Sequence, residues 1–177
     1  NLCDGLYGGS VMHDPKVTKG EYWLYLEAPI NMNDEGPMAL WTADKPHGPY
    51  KFKAYALDET LKPDSGNEEW DAGRYSESRV MYHNGLFHLF ASGSNDGTSV
   101  DPNPNKIYEQ IGWAVSADGV TFTTMKANPV IRYNESQPHT VALAESHVWF
   151  DDEQELVIVF HTVRWDAKNS PNPVPHP

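Results

Sequence analysis

The chain has a single cysteine, Cys3, among 177 residues. That scarcity rules out an internal disulfide framework, a cysteine-rich zinc centre and a dithiol redox pair. Basic residues are short too: 13 Lys and Arg stand against 25 Asp and Glu, and the net charge of −12 sets a repulsive average field against polyanions. Nucleic acid and anionic membranes are therefore not expected partners. No apolar run approaches the roughly 20 residues of a membrane span, and no basic-then-apolar leader opens the chain. An amphipathic helical pattern longer than two turns is also lacking. One domain is the expectation for this length, which is enough to bury a substantial core.

What the sequence does contain is short, aromatic and β-branched. Runs such as EYWLYLEA, LFHLFASG and ELVIVFHTV are bounded by Gly, Pro, Asn or Asp and read as strands. Asn84-Gly85 is the clearest hairpin signal, because Asn-Gly readily takes the positive φ angles of a type I′ turn. The fold class expected is all-β, with antiparallel neighbours.

The strands repeat. Val11, Val80 and Val148 lie 69 and 68 residues apart, and each anchors a first strand, a polar turn and a second apolar strand. Two of the units continue with PMALWTADKPHGPYKF (37–52) and IGWAVSADGVTFTT (111–124), each a strand, a turn and an aromatic strand. Four antiparallel strands per unit, repeated radially, describe a propeller blade. The units are expected at about 8–70, 71–138 and 139–177, the last one cut short, which gives about 2.6 blades where closed propellers need at least four. The expectation is an incomplete propeller, completed by further copies of the chain in a homo-oligomer or by a missing remainder. An ordinary β-sandwich with coincidental spacing is the competing architecture.

Glu77-Ser78-Arg79-Val80 and Glu145-Ser146-His147-Val148 put a carboxylate at the same phase of the repeat. With the segment Ser116 to Ile131, SADGVTFTTMKANPVI, they resemble the five-bladed propeller glycoside hydrolases: the clans of families 43 and 32, with the related families 117 and 130. In that group the first strand of successive blades lines a central pocket and carries the catalytic carboxylates. The resemblance implies Glu145 as general acid and Glu77 as the orienting, pKa-tuning carboxylate, a position where the group usually has Asp. Gly8 stands where the group's base Asp is expected. Asp4 and Asp71 are the candidates to replace it, or the base belongs to a missing blade, in which case this chain alone is inactive; Asp14 precedes Pro15 in a chain-turning pair.

The chemistry explains why such residues are wanted. Glycosidic cleavage passes through an oxocarbenium-like state, so one acid protonates the leaving oxygen while a second carboxylate activates water or attacks the sugar. Arg79 and His147, each one residue before the Val, could hydrogen-bond sugar hydroxyls or a substrate carboxylate, or pair with a neighbouring acid. Trp70 and Tyr75 are the aromatics expected on the pocket rim, where sugar rings stack; the remaining strand aromatics suit the core. The carboxylates could equally be solvated strand-end residues paired with Arg79 or Arg74. No cofactor is called for. The oxygen-rich loop NDGTSVDP offers calcium suitable atoms without the spacing of an EF-hand, and a surface loop is its stronger reading.

Three functions follow: a hydrolase of plant or algal polysaccharide or its oligosaccharides, a glycan-binding propeller that orients a sugar without cleaving it, or a scaffold for other proteins. The first is favoured, with carbohydrate as partner and an extracellular or periplasmic setting, although nothing in the sequence marks a compartment.

Overall fold

A computed structural model describes residues 9–27, 37–57, 74–94, 109–132, 140–151, 153 and 155–164. No helix occurs among them. Strands β1 (Ser10–Met12), β2 (Tyr22–Glu27), β3 (Met38–Ala43) and β4 (Lys51–Leu57) form an antiparallel sheet in chain order. Strands β5 (Arg74–His83), β6 (Leu86–Ser94), β7 (Glu109–Ser116) and β8 (Thr123–Thr124) repeat that order. A third pair, β9 (Thr140–Phe150) and β10 (Leu156–Arg164), begins the pattern again and joins the second sheet through one parallel register pair, Glu109 with Ala142. The architecture is that of an open β-propeller, with two four-stranded blades and the first hairpin of another.

Local chemistry accounts for the elements. Asn84 and Gly85 both hold positive φ, +49° and +83°, between the paired ends His83 and Leu86, so the expected type I′ hairpin is present. Along β2 burial alternates: Trp23, Tyr25 and Glu27 turn inward while Tyr22, Leu24 and Leu26 lie half-exposed on the other face, as period-2 side-chain geometry requires.

The core lies between the first two blades. Trp23, Tyr25, Met38, Leu40 and Leu57 of the first pack against Phe87, Leu89, Ala91, Ala114 and Phe122 of the second. Trp23 and Phe87 stack with centroids 5.7 Å apart, and Phe122 meets Tyr25 edge-on at 6.0 Å. Each large side chain buried here contributes roughly 1.5–3 kcal/mol.

A turn stitches the blades together. Asp118 Oδ1 accepts from the backbone N–H groups of Val120 (2.8 Å) and Thr121 (3.1 Å) and from the Ser116 hydroxyl (2.8 Å). These bonds, the backbone ones first, hold its carboxyl below the usual Asp range. The turn presents the Gly119 carbonyl to the Tyr25 hydroxyl at 2.8 Å and the Phe122 N–H to the Ala56 carbonyl at 2.8 Å. Gly119 has φ +72°, and a Cβ there would stand 2.7 Å from the Trp23 ring. The Ser-Ala-Asp-Gly segment therefore has a structural role, closing one blade onto its neighbour. Asn128 of the following Asn-Pro-Val clamps the β7 backbone, accepting from Trp113 N–H and donating to the Trp113 carbonyl, both at 2.9 Å.

Candidate functional site

The first strands of the three units run side by side, β1 against β5 and β5 against β9. The carboxylate positions occupy the same kind of irregularity on two of them. In β5, Ser76 pairs with Ser92 and Arg79 with Phe90, so Glu77 and Ser78 together face Ala91. In β9, Ala144 pairs with His161 and His147 with Val159, so Glu145 and Ser146 together face Phe160. Both are β-bulges, two residues against one, and both fall on a Glu-Ser pair. A bulge bends its strand and re-aims a side chain, which is why bulges concentrate beside functional sites.

Glu77 takes φ +49° at its bulge. A non-glycine residue in the left-handed region costs on the order of 1 kcal/mol, a strain found where position matters more than comfort. The residue is half-buried and is not without a partner. Beside it Ser78 is fully buried, and Ser146 nearly so, and the hydroxyls of both lack a hydrogen-bond partner among the described residues. Buried hydroxyls without partners are unusual, since each forfeits about 1–3 kcal/mol of hydration.

The first unit departs from this pattern for a visible reason. Gly9 stands where the others have Ser, and a Cβ there would approach the Tyr25 carbonyl oxygen to 2.5 Å and collide with the Leu26 side chain. The next residue, Ser10, is buried and accepts the Val80 N–H at 3.1 Å, linking the first strands of two units.

Arg79 spans all three units. Its Nη1 donates to the Gly9 carbonyl at 2.6 Å, and its Nη2 lies 3.5 Å from Nε2 of His147, the equivalent residue of the third unit. A guanidinium N–H only donates, so in this contact Nε2 of His147 is the acceptor. The structure thus brings Arg79 and His147 together and places Glu77 two residues from that contact along β5.

The remaining candidates are located only in part. Glu145 lies at its bulge by backbone register, and Tyr75 opposite Gly93 in β5. Their side chains are outside the description. Asp4, Gly8, Trp70, Asp71 and the loop considered for calcium fall outside the described residues. Among those described, no cluster of three or more His, Cys, Asp or Glu is poised to hold a metal ion.

Sequence reasoning missed the bulges and the buried serines, although Ser recurs at one phase of two units. It also missed His88, which accepts from the Trp113 indole N–H at 3.2 Å and faces the His83 carbonyl at 3.3 Å.

Comparison with known proteins agrees with the architecture. No protein-family model matches the chain. It is similar to a 1,2-beta-oligomannan phosphorylase from Thermoanaerobacter sp. (strain X514), 28% identical over 98 residues that cover 55% of this chain and 31% of that protein. Among solved structures, a thermostable family-43 glycoside hydrolase superposes with a TM-score of 0.62 at 18% identity, covering 88% of this chain and 41% of its own. A family 32 beta-fructofuranosidase from Bombyx mori gives 0.58 at 19% identity, covering 89% and 29%. A family 117 glycoside hydrolase from the marine bacterium Zobellia galactanivorans gives 0.55 at 19% identity, covering 90% and 46%. The chain thus has the fold of the propeller glycoside hydrolases and spans less than half the length of each of these relatives.

Proposed function

We propose that this chain is a glycan-cleaving propeller, or part of one, that carries the general acid of the active site. The observation that supports this most is the pair of in-phase bulges, Glu77-Ser78 on β5 and Glu145-Ser146 on β9, on strands adjacent to one another. In this reading Glu145 protonates the leaving glycosidic oxygen. Glu77 orients it and raises its proton affinity by adding negative charge nearby. Arg79, anchored on Gly9, and His147 hydrogen-bond the sugar, and Trp70 and Tyr75 form a stacking rim. Asp4 or Asp71 acts as base when water is the nucleophile.

A second reading, phosphorolysis, is favoured by the similarity to an oligomannan phosphorylase and by Gly8 at the position where the base Asp is expected. Water needs a base to become a nucleophile, whereas inorganic phosphate arrives as an anion. An oxygen of phosphate would bond to the anomeric carbon as the glycosidic C–O bond breaks and Glu145 delivers its proton to the departing oxygen.

One experiment separates the possibilities: incubation with β-mannan, arabinan, xylan and fructan oligosaccharides, with and without inorganic phosphate, followed by product analysis. Free sugar without phosphate is expected for hydrolysis, and a sugar 1-phosphate formed only with phosphate for phosphorolysis. Binding without either product would leave a non-catalytic glycan receptor, and neither binding nor product would contradict the reading altogether.

A further inference from the structure

Glu27 is the one deeply buried carboxylate among the described residues. It closes β2 at 5% exposure, on the face that carries Trp23 and Tyr25 toward the second blade. A core row of this kind calls for an apolar residue, and a carboxylate buried in its place is costly unless other groups compensate it. Glu27 is not without a partner. A carboxylate has about four acceptor sites, so an internal partner and a ligand can share it.

Register fixes its height in the molecule. Tyr25 lies opposite Ser10, whose hydroxyl accepts the Val80 N–H of β5 at 3.1 Å. Glu27 follows Tyr25 by two residues, toward the end of the sheet where Ser78 precedes Val80 by two. Strand β2 packs against β5, so the inward face of Glu27 stands at the height of the Glu77-Ser78 bulge. The first unit thus brings a carboxylate to the level of Glu77 and Glu145 from its second strand, where its first strand has only Gly8 and Gly9.

The repeat marks this height as polar. Tyr25, Phe90 and Val159 pair with Ser10, Arg79 and His147, the equivalent residues of the three first strands. Two residues further along, the second strands carry Glu27, Ser92 and His161. Ser92 is fully buried. All three units therefore change from apolar to polar at one level. The same level holds Ser78 and Ser146, whose buried hydroxyls have no partner among the described residues. A packed core gains nothing from such a change, whereas a ligand pocket is built from apolar walls with a few convergent polar groups.

We propose that Glu27 is a sugar-binding residue that selects the glycan, its carboxylate accepting a hydrogen bond from a hydroxyl of the neutral sugar held at the two bulges. A hydrogen bond to an ionised group in dry surroundings is stronger than one between neutral groups. A sugar that lacks the hydroxyl leaves a buried acceptor unsatisfied and is rejected for that reason. This role rests on the glycan reading of the site and holds whether water or phosphate is the nucleophile.

Calorimetric titration with mannan, arabinan, xylan and fructan oligosaccharides identifies a ligand, and monodeoxy analogues of its sugar complete a double-mutant cycle with Glu27→Gln. Glu27→Ser is the second variant, since Ser92 shows that a blade accommodates serine there; circular dichroism monitors the fold of both. Substitution should weaken binding of the parent sugar about 10–100-fold. One deoxy analogue should lose a similar factor against wild type and much less against the variants. Unchanged binding by a folded variant, losses that multiply for every analogue, or wild-type affinity indifferent to every deoxygenation would overturn the role of Glu27 and leave the glycan reading intact. A wild type that binds none of the oligosaccharides would overturn both.

Discussion

At the residue scale, Glu77 and His88 show two ways of holding a polar side chain in strained or dry surroundings. The positive φ of Glu77 penalises any residue with a Cβ. Comparing Glu77→Ala with Glu77→Gly removes the carboxylate in both and leaves only the backbone difference, so the glycine variant is expected to be more stable by about 0.5–1 kcal/mol. Urea unfolding midpoints measure this; equal stabilities would mean the bulge relaxes. His88 is buried and neutral, with one ring nitrogen accepting from Trp113. Burial is the leading cause that pushes its pKa below the ordinary value, with the charge of nearby His83 adding to the effect. Protonation therefore favours the unfolded chain. The stability that His88 contributes is complete above pH 6.5, the ordinary value, and declines as pH falls from there toward the depressed folded pKa. Glu and Asp titrations overlap at still lower pH, so the check is a comparison: His88→Gln should flatten the slope of unfolding free energy between pH 8 and pH 5.5, and an unchanged slope would assign the effect to other histidines.

At the element scale, the blades are held by side chains that reach from one sheet to the next. The Tyr25 hydroxyl crosses to the Gly119 carbonyl, and burial drives its pKa up well beyond the usual tyrosine range, so it remains a donor throughout the working pH. Tyr25→Phe should cost about 0.5–1.5 kcal/mol. Gly119→Ala should cost more, because its Cβ meets Trp23 and Phe87 at a positive φ. Equal costs would show that the turn can move away from the ring.

These elements also show what could be read from sequence and what could not. Alternation, the Asn84-Gly85 turn and the 68–69-residue spacing of Val11, Val80 and Val148 each depend on local chemistry or on repetition, and they carried the four-stranded pattern and the propeller class. The bulges at Glu77 and Glu145 depend on how many residues the partner strand offers, which is a property of pairing. The Gly9 exception depends on the Leu26 side chain and the Tyr25 carbonyl of a neighbouring strand. No single stretch of sequence displays such contacts. The Ser-Ala-Asp-Gly segment was legible as a motif, but its role in joining two blades became visible only with Tyr25 and Ala56 in place.

At the scale of the whole molecule, two blades and a hairpin bring equivalent positions of three units to neighbouring strands, with Arg79 reaching from Gly9 to His147. The charge of −12 sets an average field that disfavours polyanionic chains.

The proposed chemistry stands or falls on Glu145 giving a proton to a leaving oxygen. The most direct measurement is the ratio of kcat/KM for wild type and Glu145→Gln on two substrates of the same sugar: one with an alkyl or sugar leaving group, one with a nitrophenyl group that departs without help. Loss of about 10²–10⁴-fold is predicted for the first and a much smaller loss for the second. Equal losses on both substrates, or no loss on either, would contradict proton donation by Glu145.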